Sequence, residues 1–191
     1  MSTTQPRDNR PVLWGEVVRK IEMAAPAGEI FDYLADTGAL VSQVPMADRI
    51  LISSDRKRGQ VFITVGGLGK VIQVSMAVAA DSATDKETGL VKIGPDPLML
   101  EKPAAGTVIG HYSAVLRIVP DGVRHSRVLC KIEIGTDLSP LKWVQMVPRA
   151  ILNGPVQMIY QQRMETIFDG HLQRLVAFFP RWREQGLAPV K

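Results

Sequence analysis

Between residues 50 and 138 the chain alternates apolar and polar residues six times over. The stretches are ILIS (50–53), QVFITV (60–65), KVIQVSMAV (70–78), GLVKIG (89–94), GTVIGHYSAVLRIV (106–119) and SRVLCKIEIGTDL (126–138). Period two sends successive side chains to opposite faces of a strand, so each stretch predicts a strand with one buried face. The breaks between them are chemically apt: the polar DRKRG, the glycine-rich GGLG, and Asp121-Gly122 as a hairpin turn. Pro95, Pro97 and Pro103 mark an irregular loop, because proline cannot serve a central ladder.

The pattern on either side of this block differs. EVVRKIEMA (16–24) predicts a first strand with Val17, Ile21 and Met23 on one side. Pro26 suits the first turn of a helix over 27–35, where Ile30, Phe31 and Leu34 have helical spacing. Asp36 or Thr37 caps a second short helix through Leu40, Val41 and Val44, ending at Pro45. After Ser139-Pro140 the period becomes helical again. LKWVQMVPRAIL (141–152) is interrupted at Pro148, and Asn153-Gly154-Pro155 reads as a cap with proline at the first helical position. A single helix is then expected from Val156 to Phe179, about 36 Å long at 1.5 Å per residue. The order predicts an α+β fold: a curved antiparallel sheet wrapped around a long C-terminal helix, with two short helices after the first strand.

This arrangement, a helix grip, resembles the START-like (SRPBCC) superfamily of polyketide cyclases, coenzyme Q-binding proteins and related carriers. PAGEIFDYLADTGALVSQVPMADRI is similar to the superfamily's run of proline, helix, aspartate, short helix and proline. VFITVGGLGKVIQVSMAV and MIYQQRMETIFDGHLQRL resemble the strand-turn-strand and closing helix of the group of carbon monoxide dehydrogenase accessory proteins within it. The chain departs from that group at Met46, where glycine is usual, and in lacking a long membrane-seeking tail. Residues 1–12 are expected as a disordered leader, 13–182 as one START-like domain and 183–191 as a short tail.

The composition narrows the function classes. Apolar residues make up 46% and charged residues 22%, as in ordinary globular domains. The net charge of +4 is small and the basic residues are scattered, so no nucleic acid partner is expected. A lone cysteine, Cys130, excludes an internal disulfide. The polar N-terminus lacks the apolar core of a signal peptide, and a cytoplasmic protein is expected, with peripheral membrane contact open.

Motifs for phosphate, metal or nucleophilic chemistry are weak. VGGLGK (65–70) has Thr64 where a phosphate loop needs glycine and Val71 where it needs Ser or Thr, so a hairpin turn is expected. His111, His125 and His171 are far apart, and no metal or other cofactor is predicted. Strand parity puts His111 on the outer face, opposite Tyr112, Ala114, Leu116 and Ile118. Cys130 shares a face with Val128, Ile132 and Ile134 and reads as an inert core residue. His171 borders the apolar stripe of the long helix, and Arg19 ends its strand near the same region.

The candidate ligand site is therefore mostly apolar. Its residues are Val74, Met76, Tyr112, Ala114, Cys130, Ile132, Tyr160, Met164, Phe168 and His171. The resemblance implies a lipid, quinone, isoprenoid or polyketide-like ligand held without catalysis. An alternative is a cyclase, dehydratase or hydrolase using His171 with Tyr112 or Tyr160; a third is an accessory protein that docks a larger enzyme to a membrane. Trp143, Met146, Val147, Ile151 and Leu152, flanked by Lys142 and Arg149, form either an interfacial lid or a segment packed on the sheet edge. Trp182 between Arg181 and Arg183 extends the possible membrane contact. The oligomeric state is open.

Overall fold

The computed structural model describes residues 11–67 and 70–185. Residues 1–10 of the expected leader, 186–191 of the tail, and Leu68 and Gly69 of the glycine-rich turn lie outside the described residues. Seven strands form one sheet in the order β1-β7-β6-β5-β4-β3-β2. They are β1 (Val12–Met23), β2 (Ala47–Ile52), β3 (Arg58–Gly67), β4 (Lys70–Ala80), β5 (Leu90–Pro95), β6 (Val108–Pro120) and β7 (Ser126–Asp137). Two helices, α1 (Ala27–Ala35) and α2 (Thr37–Ser42), follow β1. The helix-grip fold expected from the alternation is the fold observed. VGGLGK spans the β3–β4 hairpin, with Gly67 opposite Lys70.

The sheet is antiparallel except at one place. β5 is short, pairing with β4 only at residues 78–80, and β6 then runs parallel to β4 over Val74–Met76. The proline-containing chain 96–107 leaves the sheet there and crosses its convex face. Arg58 Nε binds Asp96 at 2.6 Å, and Arg49 pairs with Glu101. Gln60 donates to Ser75 Oγ and to the Glu101 carbonyl, both at 2.9 Å, and accepts from the Glu101 amide at 2.8 Å. Gln60 and Ser75 are buried although they sit on the polar side of the alternation, because this strap covers them.

The C-terminal helix differs from expectation. After a 3₁₀ turn at Lys142–Met146, helix begins at α3 (Arg149–Ile151), directly behind Pro148. It continues without a break through a π turn (Leu152–Val156) into α4 (Gln157–Glu184). The cap expected at Asn153-Gly154-Pro155 is absent: the wider turn accommodates Pro155, which has no N–H to give to the helix.

Two sets of contacts seat α4. Along the edge strand β1, Gln157 exchanges hydrogen bonds with the Trp14 amide and carbonyl, and Gln161 with those of Glu16 (3.1 and 2.8 Å). Two turns on, Arg19 forms a two-point pair with Asp169 at 2.7 and 3.3 Å. Arg19 thus serves this seam and not the candidate cavity. Gly15 permits the close approach, since a Cβ there would lie 3.2–3.3 Å from Gln161 and Met164.

At the other end, Tyr33 of α1 packs 5.2 Å from both Phe179 and Trp182, and its hydroxyl donates to the Leu175 carbonyl at 2.8 Å. Trp182 Nε1 donates to Asp36 Oδ2 at 3.0 Å. Asp36 also caps α2 through the Ala39 amide and pairs with Arg56 at 2.9 Å. Trp182 is only 5% exposed, so it is an anchor of the fold and not a membrane contact. The expectation missed this because its two sequence neighbours, Arg181 and Arg183, are both exposed.

Replacing Trp182 with alanine should lower the unfolding free energy by about 3–5 kcal/mol, as for large buried aromatics. Urea denaturation followed by circular dichroism measures this. A loss under about 1 kcal/mol, the ordinary size of a surface effect, would show that the aromatic cluster does not hold α4.

Candidate functional site

The inward face of the sheet and the inward stripe of α4 face each other as the alternation predicted. Ala114, Cys130, Ile132 and Phe168 are buried in the main core. Met76, Tyr112, Tyr160 and Met164 pack against that core but are only partly buried. Val74 packs in a second cluster around Leu13, Val108, Leu138, Val144 and Leu152, and Tyr160 touches both clusters. The region lined by the candidate residues has a dry end and a looser end.

The looseness follows from how α4 is seated. Its buried residues are Phe168, His171, Leu172, Leu175, Phe179 and Trp182, all in its C-terminal part. The N-terminal part rests on β1 through Gln157 and Gln161, leaving the side chains opposite β3, β4 and β6 half-covered. Two methionines occupy the gap. Gly110 sits beneath Met76 and Val74: a Cβ there would lie 2.5 Å from Met76 Cγ and 3.2 Å from Val74. Met164 lies against Gly15 in the same way. Two glycines thus make room for flexible thioether chains, which repack readily around other shapes.

Two hollows lie elsewhere. One of about 330 Å³ opens on the convex face beneath the 96–107 strap, among Arg49, Phe62, Thr64, Gln73 and Thr107. The Arg49 guanidinium lies 4.2 Å over the Phe62 ring there and is already paired with Glu101. The other, about 200 Å³, lies between Gln43 and Arg174, Ala177, Phe178 and Arg181. Neither is lined by a residue of the candidate ligand site.

The polar groups of the candidate site fall into two kinds. Tyr160 is satisfied: its hydroxyl lies 2.8 Å from Thr136 Oγ1, and burial pushes its pKa up to about 12 against the opposing effect of that bond. Thr136 was not identified from the sequence, although it continues the inward parity of Ile132 and Ile134. Tyr112 stacks at a tilt 6.2 Å from Phe168, and burial raises its pKa. No described residue hydrogen-bonds to its hydroxyl.

His171 is 4% exposed and lies within the stripe, not at its edge, with its ring 6.4 Å from that of Phe168. Burial, first, and then Arg174 lower its pKa, against a hydrogen bond to the Gln43 backbone. Its Nδ1 is buried without a partner. A neutral imidazole carries its proton on one ring nitrogen and a lone pair on the other. Gln43, at the end of α2, was not identified from the sequence, because no local pattern signals a backbone contact.

The remaining candidates are inert. Burial pushes the Cys130 thiol up to about 12, so it is no nucleophile at neutral pH. His111 and His125 are exposed. Among the described residues, no group of three or more His, Cys, Asp or Glu could hold a metal ion, and no helix is long and apolar enough to cross a membrane.

The arrangement has counterparts among solved structures. The chain is similar to an aromatase/cyclase from Streptomyces sp. R1128, at 14% identity and a TM-score of 0.53 over 88% of this chain and 95% of that one. It is also similar to norcoclaurine synthase from Thalictrum flavum in complex with dopamine and hydroxybenzaldehyde (14% identity, TM-score 0.49, 95% and 96% covered). A START superfamily protein from Mycobacterium smegmatis matches at 14% identity and a TM-score of 0.47, with 90% and 98% covered. No family model matches the chain, and no curated protein matches its sequence. The chain has the START/SRPBCC fold. At such identity the likeness establishes the fold, and the ligand must be argued from the residues.

His171 also sets a pH dependence. Its folded pKa lies below the ordinary histidine value of 6.5, so the unfolded chain binds a proton first as pH falls. Stability from this group is full above about pH 6.5 and declines through the window below it, at up to about 1.4 kcal/mol per pH unit, until the folded group also protonates. The stability of the wild type relative to His171→Gln should therefore fall on acidification through that window. Urea titrations at several pH values measure it; a constant difference would show that His171 titrates normally.

Proposed function

We propose that the protein binds a hydrophobic small molecule between the concave face of the sheet and α4, and holds or carries it without covalent chemistry. The observation that carries this reading is the buried, unpartnered Nδ1 of His171, set in an otherwise apolar stripe. An unsatisfied buried acceptor costs about 1–3 kcal/mol, and a ligand that donates to it recovers that cost. Few polar groups in an apolar setting are what fixes a ligand's orientation.

The polarity of this acceptor narrows the ligand class. With the proton on Nε2, Nδ1 offers a lone pair that takes a donor: a phenol, an alcohol or a protonated acid. Among lipids, isoprenoids and polyketide-like compounds, hydroxylated members fit; a quinone carbonyl does not. Met76 and Met164 move aside on entry, and apolar burial supplies most of the affinity, at about 25 cal/mol per Å² before the costs of association.

A proton-transfer role draws on the same atom, since a neutral imidazole with an open lone pair is also a general base. It would use His171 with the Tyr112 hydroxyl, as a cyclase or dehydratase requires.

Fluorescence titration with 2-naphthol, a small apolar phenol, tests the binding reading. The phenol should bind at least several-fold more tightly than 2-methoxynaphthalene, which cannot donate. The difference should vanish in His171→Phe, and Met76→Lys should abolish binding of both with the fold retained. Equal affinities in the wild type would remove His171 from the site, and full binding by Met76→Lys would remove the groove.

A further inference from the structure

We propose that the segment between Asp137 and Glu165 is a docking face for an anionic membrane surface. Residues 138–164 contain no Asp or Glu, in a chain with 19 acidic residues, and they carry Lys142, Arg149 and Arg163. The same segment presents large apolar side chains to solvent: Met146 is 80% exposed, Met158 59%, Ile159 50% and Ile151 44%. Lys142, Arg149 and Arg163 are exposed as well.

These side chains are not surplus core. The segment has a second, buried face: Val144 and Leu152 lie inside the second cluster, with Trp143, Val147 and Val156 packed against it. The segment expected as either an interfacial lid or an edge-packed element has both a packed face and an exposed one. Trp143, Val147 and Leu152 pack on the sheet, while Met146 and Ile151 point out, joined by Met158 and Ile159 from the start of α4. Ile159 and Arg163 are one turn apart on the same helix face.

Apolar side chains interleaved with cations, in a segment without Asp or Glu, match the boundary of an anionic bilayer, where the chains insert and Lys142 and Arg163 meet headgroup phosphates. A protein partner of mixed surface charge would ask for acidic residues as well. The position adds a consequence for cargo, resting on the reading above. Val74 and Tyr160, at the loose end of the groove, share the second cluster with Val147 and Val156, so docking places that end against the lipid.

Co-sedimentation of the full chain with vesicles tests this, using phosphatidylcholine with and without phosphatidylglycerol. Binding should require phosphatidylglycerol and weaken as salt is raised. Lys142→Gln with Arg163→Gln should weaken it about five-fold per cation removed. Met146→Asp with Met158→Asp should abolish it, with the unfolding midpoint and 2-naphthol binding unchanged, which separates loss of docking from loss of the groove. Absence of phosphatidylglycerol-dependent binding, or full binding by the double aspartate variant, overturns the proposal. A dimer in sedimentation velocity that the aspartate variant dissolves also overturns it, assigning the face to a second copy of the chain.

Discussion

The structure depends on how one helix is fastened to one edge strand. β1 ends the sheet, and its outward amides and carbonyls need partners or water. Gln157 and Gln161, one turn apart on α4, supply amide groups that bond to the strand as a neighbouring strand would. This fixes the helix along β1 and leaves its apolar stripe facing the concave sheet. The aromatic cluster of Tyr33, Phe179 and Trp182 fixes the other end. Asp36 ties that cluster to α2 and Arg56 at once.

Everything functional follows from the unevenness of this attachment. The C-terminal part of α4 buries its stripe fully, and the N-terminal part does not. The gap is occupied by Met76 and Met164, each resting over a glycine, so the groove is closed by adaptable side chains and not by backbone. His171 lies in the buried part of α4, where burial lowers its pKa and its Nδ1 has no partner. The proposed apolar ligand fits these features together.

Much of this was legible in sequence, because period two and helical spacing report which face a side chain takes. Ala114, Cys130, Ile132 and Phe168 were placed in the core that way, and His111 on the outside. Several features were not legible, each for a physical reason. Gln60 and Ser75 are on the polar parity yet buried, because a distant strap covers them and alternation reports faces, not covers. Trp182 is bracketed by exposed arginines, and only the tertiary position of α1 turns it inward. Met46 adopts a left-handed conformation at φ 63°, where glycine would sit without strain. Its neighbour Pro45 signals a turn but not its hand. The break expected at Asn153-Gly154-Pro155 failed because a π turn absorbs the proline.

Native mass spectrometry of the purified protein, after incubation with an organic extract of its expression host, tests the central claim most directly. The account predicts one bound apolar compound per chain, bearing a hydroxyl or acid group when extracted and identified. Retention of that compound by wild-type protein and its loss from Met76→Lys would place it in the groove. A chain that remains at its bare mass throughout, or takes up the compound equally well with Met76→Lys, would contradict the account.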